Sequence, residues 1–166
     1  QCIELVNAGS ELVRVTVDRP EAAKAVPEIK QRLLDAGCTA PLIGDFHYNG
    51  HLLLTQFPKC AVALDKYRVN PGNVGTGQRR DKQFGTICTV AHDHGKPIRI
   101  GVNGGSLNQE LVMAKMQENT DSQDNRSSND IINDCMVISA VESTAMALDA
   151  GLTKHQIIIS CKVSRP

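Results

Sequence analysis

Tryptophan is absent from this chain of 166 residues, and Tyr (2) and Phe (3) are scarce. Few aromatic faces are available to stack on the bases of a single-stranded nucleic acid. Charge of one sign is missing too: 18 Lys+Arg balance 18 Asp+Glu, a formal net charge of +0. Binding DNA or RNA chiefly by bulk charge is thereby excluded. No apolar run approaches the roughly 20 residues of a membrane span, so neither a nucleic acid nor a membrane is expected as a partner. The first residue is Gln1, and no charged-then-apolar leader follows it. That is the pattern of a removed start or of an excerpt from a longer chain.

Cysteine is present, but not in metal-binding spacing. Cys2, Cys38, Cys60, Cys88, Cys135 and Cys161 include no CxxC knuckle, so no internal metal site is expected. Their apolar or strand-like flanks point to buried, reduced thiols acting as small hydrophobes in a cytoplasmic protein. Hydrophobic residues at 41% and charged residues at 22% fit one soluble domain able to bury a core.

What is present is an alternation of segment types. Residues 12–17, 42–46, 63–70, 98–103 and 157–164 are rich in Val, Ile and Leu and read as strands. Residues 22–36, 50–56, 81–94 and 131–150 read as helices, with a short one over 109–118 and another ending near Ala8. Gly9, Gly37, Gly95 and Gly151 each directly follow a helical pattern, where a left-handed glycine closes a helix cheaply. Pro20 suits a first helical turn, whereas Pro27 predicts a kink or a late start. The polar run 119–129 reads as a mobile excursion between the fifth strand and its helix.

Strand–helix–strand units imply parallel strands with right-handed crossovers. No GxGxxG follows the first strand, which disfavours a dinucleotide-binding open sheet. The predicted fold is therefore α/β, a partial (β/α)8 TIM-type barrel of about five parallel strands. Full barrels run to about 250 residues, so residues 1–166 are expected to form one incomplete barrel domain with unpaired edge strands.

Strands buried on both faces should be continuously apolar. These instead carry polar residues two apart, on one face: Arg14, Thr16 and Asp18; Asp45 and His47; Lys66, Arg68 and Asn70; Arg99 and Asn103 flanking Gly101; Ser160, Lys162 and Ser164. A lone strand-end cation is usually a solvated charge. Arg14, Arg68, Arg99 and Lys162 near the ligand-binding ends of successive parallel strands are better explained by one shared task. Crowded like charges persist where something anionic neutralises them. Arg offers a planar fork suited to phosphate oxygens, so a small phosphate or diphosphate is the expected ligand.

Loops 70–77 and 101–107, dense in Gly and Asn, could turn backbone N–H groups towards such an anion. Asn103 could serve as a directed donor or acceptor. His47 and His51 lie four apart with Asp45 nearby, but Asn49-Gly50 breaks the helix that a shared metal face needs. Asp45 is better suited to positioning hydroxyls, and His47 to proton handling or packing.

Five stretches in order carry a resemblance: Glu11-Leu12-Val13-Arg14-Val15-Thr16, Asp45-Phe46-His47-Tyr48-Asn49-Gly50, Lys66-Tyr67-Arg68-Val69-Asn70-Pro71-Gly72-Asn73, Ile98-Arg99-Ile100-Gly101-Val102-Asn103 and Ile158-Ile159-Ser160-Cys161-Lys162-Val163-Ser164. Together they resemble the 4-hydroxy-3-methylbut-2-enyl diphosphate synthases, iron–sulfur oxidoreductases of the methylerythritol phosphate route to isoprenoids. The resemblance implies reductive opening of 2-C-methyl-D-erythritol 2,4-cyclodiphosphate, with electrons from flavodoxin or ferredoxin through a [4Fe-4S] cluster. It implies that Arg14, Arg68, Arg99 and Lys162 bind the diphosphate, Asp45 and Asn103 face the hydroxyl region, and His47 and Asn70 support them. The family's cluster ligands, three Cys and a Glu in a separate domain, have no counterpart here. The chain is thus expected to be an internal piece of the barrel, inactive alone, from a protein that is a homodimer when complete. Two other readings stay open from the residues alone: a metal- or acid/base-dependent barrel acting on a sugar phosphate through Asp45 and His47, and a non-catalytic phosphate-binding module.

Overall fold

A computed structural model describes residues 1–74, 77–122 and 125–163, with backbone alone at 77, 78 and 80. Five strands, β1 (Val13–Val17), β2 (Leu42–Phe46), β3 (Lys66–Val69), β4 (Ile98–Asn103) and β5 (Ile157–Lys162), form one sheet in the order β1-β2-β3-β4-β5. Every pairing is parallel. In an open doubly wound sheet the strand order reverses at a switch point. Here it never reverses, so right-handed crossovers carry the helices to one face. The other face is left as the inside of an arc, as in a partial (β/α)8 barrel.

The helices are α1 (Cys2–Asn7), α2 (Pro20–Asp35), α3 (Gly50–Gln56), α4 (Pro58–Ala63), α5 (Gly77–Asp93), α6 (Gln109–Asp121) and α7 (Ser128–Asp149). The sheet's helix-covered face supplies Val13, Val17, Leu42, Phe46, Tyr67, Val69, Ile98, Ile100 and Val102 to one buried core. Each large side chain buried there contributes about 1.5–3 kcal/mol. Tyr67 meets Phe46 edge-on with ring centroids 5.9 Å apart. Its hydroxyl donates to the Ala61 carbonyl at 2.8 Å, so the buried phenol has a partner. At the strands' N-terminal end, Asp65 accepts from the Leu42 N–H at 2.7 Å and from Lys30 Nζ at 2.6 Å.

The four helix-closing glycines have φ of 101° (Gly9), 72° (Gly37), 62° (Gly95) and 95° (Gly151). At Gly37 the chain reverses with Gly37 N–H on Leu34 O and Cys38 N–H on Leu33 O, which satisfies carbonyls the helix end would otherwise orphan.

Several expectations are corrected. Pro27 neither delays nor ends α2, which runs from Pro20, because Ala23, Val26 and Leu33 bury one face of a continuous helix. The predicted strand 63–70 begins only at Lys66, since residues 58–63 form α4, too short to repeat a helical period. The polar run 119–129 lies before β5, between α6 and α7, and among its described residues 119–121 close α6 and 128–129 open α7. Helix α6 continues to Asp121, and Ser127 caps α7 with Asp130 in a reciprocal capping box. Gln123, Asp124 and Ser164 lie outside the described residues.

Helix α7 also corrects the statement on apolar length. By length and mean hydropathy (1.4) it alone, among the described residues, could cross a membrane. Ile131, Cys135, Met136, Ser139, Ala140, Ser143 and Ala147 are buried, and the helix packs on β4 and β5. That buried face accounts for part of its apolar composition; Val137 and Val141 are exposed. All six cysteines are free, but only Cys60, Cys88 and Cys135 are buried; Cys161 is exposed on the edge strand.

Candidate functional site

Period-two alternation and parallel register together order the inner face. Thr16 pairs with Asp45, Asp45 with Arg68, and Arg68 with Arg99, giving one row across four strands. Farther along the strands, Gly101 pairs with Ser160 and Asn103 with Lys162. Arg14, Arg68, Arg99, Asn103, Ser160 and Lys162 all line one cleft of about 540 Å³.

The charges inside this cleft are unevenly matched. Arg68 donates to Asp45 Oδ1 at 2.9 Å, and Arg14 Nε stands 3.5 Å from Oδ2. The first pair is mostly buried, with side-chain exposures of 18% and 8%, and is the stronger; Arg14, at 49%, is screened by solvent. Among the described residues, Arg99 donates to a neutral group, Ser160 Oγ, at 2.7 Å. Four cations therefore face one carboxylate among the described residues, and the cleft keeps an excess of positive charge. Asp45 supplies internally part of the neutralisation that was expected wholly from a ligand.

Gly101 gives Arg68 its seat. A Cβ on Gly101 would lie 2.9 Å from Arg68 Nε, so the guanidinium crosses β4 where a side chain is missing.

The rim is built from two similar turns. Asn70 Oδ1 accepts from the Gly72 N–H at 3.0 Å, and Asn103 Oδ1 from the Gly105 N–H at 3.1 Å. Both side chains cap short 3₁₀ turns. The N–H groups of Asn73 and Val74 also bond within their own turn. The expectation that these loops aim such groups at an anion is therefore corrected for Gly72, Asn73, Val74 and Gly105: their donors are already used. Residues 75 and 76 lie outside the described residues. Asn70, 4% exposed, spends its Nδ2 on Ser106 Oγ at 2.7 Å and supports the rim. Asn103 lines the cleft, and with Oδ1 held by Gly105 its Nδ2 is the donor it can offer there.

His47 lies beside this cluster, with Nε2 3.9 Å from Asp45 Oδ1. His51 buries Nδ1 without a partner, and burial lowers its pKa, favouring the neutral ring. No three His, Cys, Asp or Glu converge into a metal-holding group among the described residues. Burial pushes the Cys60 and Cys88 thiols up to about 12, away from the thiolate that a metal ligand requires.

A second cleft of about 480 Å³ lies between α6 and α7. It contains matched pairs, Lys115 with Glu118 and Arg126 with Asp134, each at 2.6 Å. Those pairs neutralise one another, so it lacks the electrostatic demand of the strand-end cleft.

Reading the sequence identified the cations, Asp45, His47 and both asparagines. It missed the Gly101 seat and the Ser106 link, although alternation already placed Gly101 on the polar face between Arg99 and Asn103. The fold agrees with a comparison against protein families, in which residues 1–166 match the family described as the GcpE TIM-barrel domain. The chain belongs to that family.

Proposed function

We propose that the cleft binds the diphosphate group of a small ester and that the chain serves a 4-hydroxy-3-methylbut-2-enyl diphosphate synthase. The overall reaction takes up two electrons, breaks the ring C–O bond of 2-C-methyl-D-erythritol 2,4-cyclodiphosphate and expels a hydroxyl as water. The product is (E)-4-hydroxy-3-methylbut-2-enyl diphosphate. The observation that supports this reading most is the meeting of Arg14, Arg68, Arg99 and Lys162 on one cleft, where Asp45 pairs with only Arg14 and Arg68.

Each residue then has a task. Arg68 and Arg99 offer planar forks to phosphoryl oxygens, and Arg14 and Lys162 add charge from the flanking strands. Asp45 holds Arg68 and Arg14 in place before the anion arrives, which lowers the cost of ordering them on binding. Asn103 donates from Nδ2 near the substrate's hydroxyl end. His47, 3.9 Å from Asp45 Oδ1, is assigned the support of that carboxylate.

Family membership brings a [4Fe-4S] cluster into the reading. None of the described residues fits as its ligand set, for the six cysteines lie on separate elements and no candidate group forms. The reading therefore assigns the cluster to residues other than these, with flavodoxin or ferredoxin as electron donor, a homodimer as the assembly and the cytoplasm as the location. No step is derived through it.

Titration calorimetry of the purified chain with pyrophosphate and with the cyclic diphosphate, at low and high salt, tests the binding half. Saturable binding that weakens with salt and is lost in Arg68→Ala is expected. Absence of saturable binding at millimolar ligand, or binding indifferent to Arg68→Ala, overturns it.

A further inference from the structure

We propose that Ser106 is a positioning residue for this cleft, its hydroxyl joining Asn70 to Asn103 so that Asn103 presents a fixed donor. Asn70 is buried, and its amide is used at both ends: Oδ1 on the Gly72 N–H, Nδ2 on Ser106 Oγ at 2.7 Å. The Ser106 hydroxyl in turn donates to the Asn103 carbonyl at 3.3 Å. The chain of bonds thus runs from the end of β3 to the end of β4.

Two further contacts make the link stiff. A Cβ on Gly72 would stand 1.7 Å from the Ser106 carbonyl oxygen, so the two turns meet backbone to backbone. Asn103 Oδ1 accepts from the Gly105 N–H at 3.1 Å, one residue before Ser106. Anchoring the oxygen fixes the orientation of the amide and so of its Nδ2, which can only donate. Asn103 consequently acts as a hydrogen-bond donor and not as an acid or base, and Ser106 holds both its main chain and the turn that fixes its side chain.

What Asn103 Nδ2 meets rests on the diphosphate-ester reading above; the link through Ser106 does not. The test keeps the two apart. In the ¹⁵N-labelled chain without ligand, Ser106→Ala is expected to shift the Asn103 side-chain amide resonances, and Ser106→Thr, which keeps the hydroxyl, to return them. Affinity for the cyclic diphosphate, which carries the hydroxyl end that Asn103 would meet, is expected to fall roughly tenfold in Ser106→Ala and to recover in Ser106→Thr. Asp65→Asn, at the opposite end of the sheet, is the stability control. Unchanged Asn103 resonances or unchanged affinity in Ser106→Ala overturns the proposal. So does an equal loss of affinity in Asp65→Asn, which would trace the effect to stability alone. If the unsubstituted chain fails to bind the cyclic diphosphate, the diphosphate reading falls, and the resonances still decide whether Ser106 holds Asn103.

Discussion

The two ends of this one sheet treat charge in opposite ways. At the N-terminal end, Asp65 and Lys30 are matched one to one at 2.6 Å, and the carboxylate also takes the Leu42 N–H. Its polar groups serve the protein's own backbone. At the C-terminal end, four cations line one cleft; of these Arg14 and Arg68 share Asp45, while Arg99 donates to a serine hydroxyl. A net charge of +0 hides this completely. The contrast separates an end built for cohesion from an end that keeps positive charge available for something else, the division expected of (β/α)8 barrels.

The comparison can be broken most sharply at Arg68. Arg68→Ala leaves Asp45, with a side chain only 8% exposed, with the solvent-screened Arg14 and the more distant His47. A loss of about 3 kcal/mol in urea unfolding is expected, together with loss of pyrophosphate binding. Arg68→Lys should recover little of the binding, because an ammonium lacks the fork. Full stability in Arg68→Ala would show that the ion pair contributes nothing to holding the cleft.

Gly101→Ala should separate binding from folding. Its new Cβ would press on Arg68 Nε, 2.9 Å away, and displace the guanidinium rather than the core. Roughly tenfold weaker pyrophosphate binding is expected, with a stability change of about 1 kcal/mol. Equal binding in calorimetry would remove Gly101 from the site.

Asp65→Asn should do the reverse. The amide oxygen can still accept from Leu42, so only the partly exposed ion pair is lost, for about 1 kcal/mol of stability and no change in binding. A fall in anion affinity would mean that the two ends are not independent.

The smallest effect concerns the thiols. At pH 8, iodoacetamide should label exposed Cys161 and spare Cys60 and Cys88 until the chain unfolds. Burial raises both pKa values from 9.0 to about 12, so the folded state holds their protons longer than the unfolded one. Their contribution is complete below about pH 9 and is lost as pH rises towards 12, a decline that unfolding curves across that range would register.

Much of this contrast was legible before any coordinates. Period-two spacing placed Arg14, Arg68, Arg99 and Lys162 on one side of their strands, and glycines after helical patterns marked four helix ends that the backbone angles bear out. Short-range rules sufficed there, because alternation and left-handed closure are properties of adjacent residues. They failed at α4, whose six residues complete fewer than two helical turns and so give a pattern no repeat. They failed at Pro27 too, where burial of the face carrying Ala23, Val26 and Leu33 outweighs a local penalty. The turns after β3 and β4 were read as donors for an anion, yet Asn70 and Asn103 consume the Gly72 and Gly105 N–H groups. Which of two competing acceptors an amide takes depends on the turn's geometry, and composition does not specify it.

By itself the sequence determined the alternation of strands and helices and the polar side of each strand, since both follow from chemistry within a few residues. Only the tertiary structure decided the unreversed strand order, the row from Thr16 to Arg99, and the partners of the charges within it. Arg68 reaches Asp45 across 23 positions and Arg99 reaches Ser160 across 61. Hydrogen bonds act over about 3 Å, so contacts between groups so far apart along the chain exist only once register and closure have brought the strands side by side.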